Sequence, residues 1–244
     1  MIAHYNRRNE SDDIQFMEIK MEKYTRDLEK YILDYKNDLN RPAMEAYMKH
    51  KFQFLGIKAP ERVQLTKQFI KMNGDPTDLN TIREIWDLEG REFQYIALAL
   101  LDRQYKKAEK ERITFYESLV VDKSWWDTVD TLAGRLICFH FLKYPELIGE
   151  YAEKWIQSEN MWLNRVAILC QMKFKDKTDQ ERLFRYCQIM SHSEEFFIQK
   201  AIGWALREYS YINRDAVEHF IQNTNLAPLS KREGMKNIDK LRKQ

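Results

Sequence analysis

Glycine and proline are scarce, at seven and five in 244 residues. Both punctuate turns, so their scarcity argues against a fold of many short strands and favours long helices with brief connections. Cysteine is scarcer still. Cys138, Cys170 and Cys187 each sit inside an apolar, helix-like segment with no metal-ligand spacing. They read as small core residues of a reducing compartment rather than as a disulfide frame. No run approaches the roughly 18 apolar residues of a membrane span, and no apolar stretch follows the N-terminus. The expectation is a soluble, cytoplasmic protein without membrane contact. The histidines (His4, His50, His140, His192, His219) are scattered, so neither a metal nor another cofactor is expected. Net charge is only +2, and bulk electrostatics therefore selects no partner. The stretch "SKREGMKNIDKLRKQ", however, sets six Lys and Arg against Glu233 and Asp239, an excess suited to an anionic polymer or merely to solvent.

What is abundant is apolar and aromatic residue, 44% and 13% of the chain, enough for one domain with a substantial core. A polar start leads into helical spacing at Met17, Met21, Tyr24, Leu28, Tyr31 and Ile32. Further on, "REFQYIALALL", "WWDTVDTLAGRL", "MWLNRVAILCQ" and "FFIQKAIGWAL" share an alanine at one phase. These are Ala97, Ala133, Ala167 and Ala201, spaced by 36, 34 and 34 residues. Shorter amphipathic helices such as "PELIGEYAEKWI" lie between them. A period of this length built from helix pairs predicts an all-α fold, a right-handed α-solenoid of HEAT-like repeats with one concave wall. The expected organisation is a polar extension over 1–20, a repeat domain over 21–236 and a basic tail over 237–244.

Within "KSWWDTVDTLAGRL", Ser124 and Asp127 have the spacing of a capping box. That phase puts Trp125, Val129, Leu132 and Leu136 on a core stripe. Trp126 falls one step round, with Asp130 four residues beyond it on the same face. On this helix alone, an edge tryptophan beside a solvated aspartate explains the pattern. In the next repeat Arg165 is the lone charge in an apolar run, so it must snorkel, pair with an acid or face a ligand. In the repeat after that, Trp204 takes the phase held by Leu100, Leu136 and Cys170. It follows Gly203, which costs about 1 kcal/mol in a helix relative to alanine. A close approach of a ligand or of a neighbouring helix accounts for that glycine equally well. Equivalent positions of stacked repeats line one wall, so Trp126, Asp130, Arg165 and Trp204 are candidates for a shared cleft.

From "AYMKHKFQFLGIKAPER" through "EIWDLEGREFQY", "KSWWDTVD", "WLNRVAILCQ" and "EEFFIQKAIGWALREY" to "LAPLSKRE", the chain resembles the AlkD-type DNA glycosylases, a DNA alkylation repair family built from HEAT-like repeats. The resemblance implies a monofunctional hydrolase, needing no cofactor, that releases cationic N3- or N7-alkylated purines such as 3-methyladenine and 7-methylguanine from duplex DNA. It also implies that the base is not flipped. Asp130 falls on the family's catalytic carboxylate, Trp126 and Trp204 on its cleft tryptophans, and Arg165 on its cleft arginine, whose guanidinium suits a phosphate. Tyr47, Lys173 and Arg207 fall on positions that face DNA. From its own spacing, Tyr47 would be read as core. No lysine stands out as a Schiff-base nucleophile, so strand cleavage is not expected, and the protein is expected to be a monomer. Two other readings are compatible with the repeats: a non-catalytic DNA-binding paralogue and a protein-binding scaffold.

Overall fold

The computed structural model describes residues 23–76 and 78–241. Met17, Met21 and the 1–20 extension lie outside them. The described chain is helical, without a strand among its residues, and forms two compact units, 1–103 and 104–244. No described helix is long and apolar enough to cross a membrane.

In the first unit α1 (23–33) buries Leu28 and Ile32, two of the residues expected on its apolar stripe. α2 (Arg41–Tyr47), α3 (Ala59–Asn73), α4 (Leu79–Asp87) and α5 (Arg91–Gln104) follow. Pro60 opens α3, where its missing N–H costs nothing, and the Asp78 side chain caps α4 by accepting from the Thr81 amide at 2.7 Å. The loop before α3 is fixed by one acid. Glu92, fully buried, accepts from the amides of Leu55, Gly56 and Ile57 at 2.9, 3.0 and 3.0 Å. Gly56 is required there. Its φ is +87°, and a Cβ would lie 1.9 Å from the Asn37 carbonyl oxygen. Tyr47, at the end of α2, is 70% exposed, contrary to the core position that its spacing suggests.

The second unit contains α6 (Arg112–Val121) and then α7 (Trp126–Thr131), which runs on through a π-helical stretch, Leu132–Ile137, into α8 (Cys138–Lys143). Next comes a second π-helical stretch, Ile148–Ala152, that leads into α9 (Glu153–Ile156). α10 (Met161–Leu169), α11 (Gln180–Ile189), α12 (Phe196–Tyr209), α13 (Arg214–Asn223) and α14 (Pro228–Leu241) complete it. The four in-phase alanines are all buried, as small residues at helix contacts must be. α14 runs past residue 236 and buries Ile238, so the tail expected from 237 begins inside a helix. All three cysteines are buried free thiols. Burial pushes the Cys138 thiol up to about 11, and those of Cys170 and Cys187 further in the same direction.

The most extensive helix contact among the described residues joins α12 and α14, and it accounts for Gly203. A Cβ at this position would lie 2.4 Å from the Glu233 Cβ and 3.0 Å from the Ser230 carbonyl oxygen. Helix packing, not a ligand, occupies the space. The Ser230 hydroxyl then donates to the Gln199 carbonyl at 2.9 Å, and the Asn237 amide to the Ser210 hydroxyl at 2.9 Å. Alanine propensity alone would stabilise α12 by about 1 kcal/mol. Gly203→Ala is instead expected to destabilise the protein by about 1–3 kcal/mol through overpacking, read by denaturant unfolding. A gain in stability would show that α14 yields.

Candidate active site

The site is built at the N-terminal parts of three helices, α7, α10 and α12. The chain enters α7 extended at Trp125 (φ −159°, ψ 163°), and the helix starts at Trp126 without a side-chain cap. The expected capping box does not form. The Ser124 hydroxyl turns back and donates to the Val120 carbonyl at 2.6 Å, closing the preceding helix instead. Val129, Leu132 and Leu136 are fully buried, as the stripe requires, and Asp130 emerges at their edge. Trp125 is half-buried rather than core, because it precedes the first turn.

α10 is set with more hydrogen bonds than any sequence pattern suggests. The Asn160 side chain accepts from the amides of Trp162 and Leu163 at 2.9 and 3.4 Å. The buried Asn164 donates to the carbonyls of Trp155 and Ser158 at 2.9 and 2.8 Å, tying the helix to the end of α9. The next residue, Arg165, is 4% exposed. Its Nε and Nη2 donate to the two carboxylate oxygens of Asp130 at 2.7 and 2.9 Å, a bidentate fork. Its Nη1 donates to the Phe197 carbonyl in the first turn of α12. The guanidinium thus fastens α7, α10 and α12 at one point. Of the three fates open to a lone arginine, pairing with an acid is the one realised. The fork expected to face a phosphate faces Asp130, because the side chain is too deeply buried to reach out.

Around this pair stand three rings, two of which, Trp162 and Phe197, the sequence does not mark as site residues. Trp125, Trp162 and Phe197 contact one another with centroids 5.7, 5.0 and 5.1 Å apart, and the Arg165 guanidinium lies 5.9 Å from the Phe197 ring. Phe196, beside Phe197, is 58% exposed. One signal was available: each of Trp125, Trp162 and Phe197 sits at a helix start, about one repeat after the last. Trp126 is half-buried one turn before Asp130, and Trp204 half-buried two turns along α12 from Phe197. Tyr47 belongs to the first unit, whereas Lys173 and Arg207 in the second are held by acids. Lys173 Nζ lies 3.7 Å from Glu208, and Arg207 Nη1 is 3.2 Å from Glu233. Among the described residues no group of three or more His, Cys, Asp or Glu is placed to hold a metal ion.

The Asp130 side chain keeps 19% of its surface exposed, so it remains open to solvent. Burial pushes its carboxyl above the usual range, and the Arg165 hydrogen bonds pull it back. A neutral residue at 165 would leave that carboxylate desolvated and alone. Arg165→Met is therefore expected to lower stability by about 3–5 kcal/mol. Adding Asp130→Asn should recover part of the loss, measured as a double-mutant cycle in denaturant. A loss below about 1 kcal/mol would class the pair with ordinary surface ion pairs.

No curated protein matches the chain. A solved structure described as "Predicted DNA alkylation repair enzyme from Enterococcus faecalis" is similar to it, with a TM-score of 0.78 and 36% identity over 84% of this chain and 97% of that one. The family described as DNA alkylation repair enzyme matches residues 28–238. The chain belongs to the DNA alkylation repair enzyme family, and its role lies in DNA repair.

Proposed function

We propose that the protein is a monofunctional DNA glycosylase that hydrolyses the N-glycosidic bond of cationic N3- or N7-alkylated purines in duplex DNA, acting as a monomer and without flipping the base. The observation that carries this reading is the Asp130 carboxylate, fixed through both oxygens by a buried arginine and still partly open to solvent beside Trp126.

The chemistry asks little of the protein. An alkylated purine already carries positive charge, so the bond electrons leave with the base and no general acid is needed. Positive charge then develops on the deoxyribose, and a preorganised anion lowers the energy of that state. Asp130 fits this role. Arg165 fixes its orientation, so no reorganisation is required as the charge appears. Water adds to C1′, and its proton passes to Asp130 or to solvent. A carboxylate with both oxygens engaged is better suited to electrostatic stabilisation and water orientation than to forming a covalent sugar adduct. Trp126 and Trp204 offer ring faces of negative potential to the sugar edge. Arg165 contributes by positioning Asp130. In this reading Tyr47, Lys173 and Arg207 contact the DNA backbone. A shallow aromatic surface would select lesions by charge more than by shape, unlike enzymes that extrude the base into a pocket.

The test is release of free base from duplex DNA containing 7-methylguanine. Wild type is expected to release it. Asp130→Asn should bind the same DNA and be slower by about 10²–10³-fold, the usual effect of removing one preorganised group. Binding without release by wild type would instead identify a non-catalytic DNA binder. The pH dependence has a definite sign. Only ionised Asp130 can face a cation, and burial holds its carboxyl above the usual range. The rate should therefore fall with decreasing pH, with a midpoint above that of an ordinary aspartate. A rate independent of pH across the acid range would exclude Asp130 as the working anion.

A further inference from the structure

The "LSKRE" segment takes no part in the chemistry above, yet it places one acid in an unusual setting. Glu233, on α14, keeps 8% of its side-chain surface and faces three cations. Its Oε1 lies 3.2 Å from Lys200 Nζ and its Oε2 3.2 Å from Arg207 Nη1. Both oxygens accept from Lys236 Nζ, at 2.8 and 2.7 Å. These contacts, with Lys236 foremost, hold its carboxyl down at about 2. The backbone of α14 comes close enough for this only because residue 203 lacks a Cβ.

Two features separate this cluster from an ordinary surface network. First, it does not cancel. One carboxylate against three cations leaves two positive charges, and those side chains retain 36%, 28% and 50% of their surface. A guanidinium carries five N–H donors and an ammonium three, so two carboxylate oxygens cannot consume them all. Second, it is centred on Trp204. Residues 200, 204 and 207 share one strip of α12 at spacings of four and three, so Lys200 and Arg207 flank the tryptophan on either side.

We propose that Glu233 is a positioning residue, which sets Lys200, Arg207 and Lys236 as a preorganised clamp for the DNA phosphates on either side of the sugar that meets Trp204. The proposal rests on the reading of duplex DNA as the ligand and of Trp204 as a sugar contact. Long cationic side chains lose rotamer freedom when they grip a phosphate. A buried carboxylate that holds their heads in place removes part of that loss before DNA arrives. Glu233 therefore strengthens binding to a polyanion although it is itself negative.

That last point makes the proposal easy to overturn. The measurement is binding of the full chain to undamaged duplex DNA over a range of salt, for wild type, Glu233→Gln, Lys200→Gln and Lys236→Gln, each checked for intact folding by its melting temperature. Charge counting alone predicts that Glu233→Gln, with one negative charge fewer, binds more tightly. The clamp predicts several-fold weaker binding and a shallower salt dependence. Lys200→Gln and Lys236→Gln sit at the rim and should fold as wild type does. Each should reduce the slope of log K against log salt by about 0.9. In single-turnover base release, Glu233→Gln should raise the half-saturating enzyme concentration more than it lowers the saturated rate, the opposite of Asp130→Asn. Tighter binding by folded Glu233→Gln, or unchanged slopes for both lysine variants, would overturn the clamp. Because undamaged DNA is used, absence of base release by wild type would sink the glycosylase reading while leaving this test intact.

Discussion

The second unit depends on one buried ion pair, Asp130 with Arg165. Removing two charges from water costs several kcal/mol each unless geometry restores the lost hydrogen bonds. Here three of the five guanidinium N–H donors supply the restoration. Both carboxylate oxygens take a guanidinium N–H, and a third N–H goes to the Phe197 carbonyl. The partners come from segments 35 and 32 residues apart, close to the spacing of the in-phase alanines. Apolar packing could hold α7, α10 and α12 together at least as well. What it could not do is present a carboxylate in one fixed orientation at the edge of the core. The pair is better understood as a device of position than as one of stability.

A second constraint runs through α12. Its first turn receives Arg165, and seven residues on, about 10 Å along the axis, it carries Trp204. Between these points Gly203 admits α14, whose Glu233 gathers the cations beside that tryptophan. In the proposed reading, the helix relates the carboxylate end of the surface to the end that would hold phosphates. On that reading, α12 fixes the distance between the group that would answer developing charge and the groups that would hold the backbone. This suits a reaction whose demands on the protein are chiefly placement and electrostatics.

Much of this was legible in the sequence because helical periodicity and repeat length are properties of single residues. The phase of Ala97, Ala133, Ala167 and Ala201 marked the buried side of four helices, and the lone Arg165 marked a charge in need of a partner. What stayed hidden depends on neighbours distant in sequence. Ser124 fits a cap by spacing but bonds backwards to Val120, since the chain is extended at Trp125. Nothing local says that Tyr47 points outward, or that Arg165 is too deep for a phosphate. Nothing in the sequence marks Trp162 and Phe197 as neighbours of the site, because an aromatic residue at a helix start looks the same whether it faces a neighbour or a ligand. Gly203 was correctly singled out, but only the position of α14 decides between packing and ligand approach.

The central claim is that Asp130 works as a carboxylate held by Arg165, so that the two act as one group. A double-mutant cycle on the single-turnover rate of 7-methylguanine release tests it most directly, using Asp130→Asn, Arg165→Met and the double variant below their melting temperatures. If the pair is one unit, the double variant is about as slow as Asp130→Asn alone, because a misaligned carboxylate and an absent one fail alike. Losses that multiply would contradict the account. They would mean that Arg165 acts on the substrate independently of Asp130.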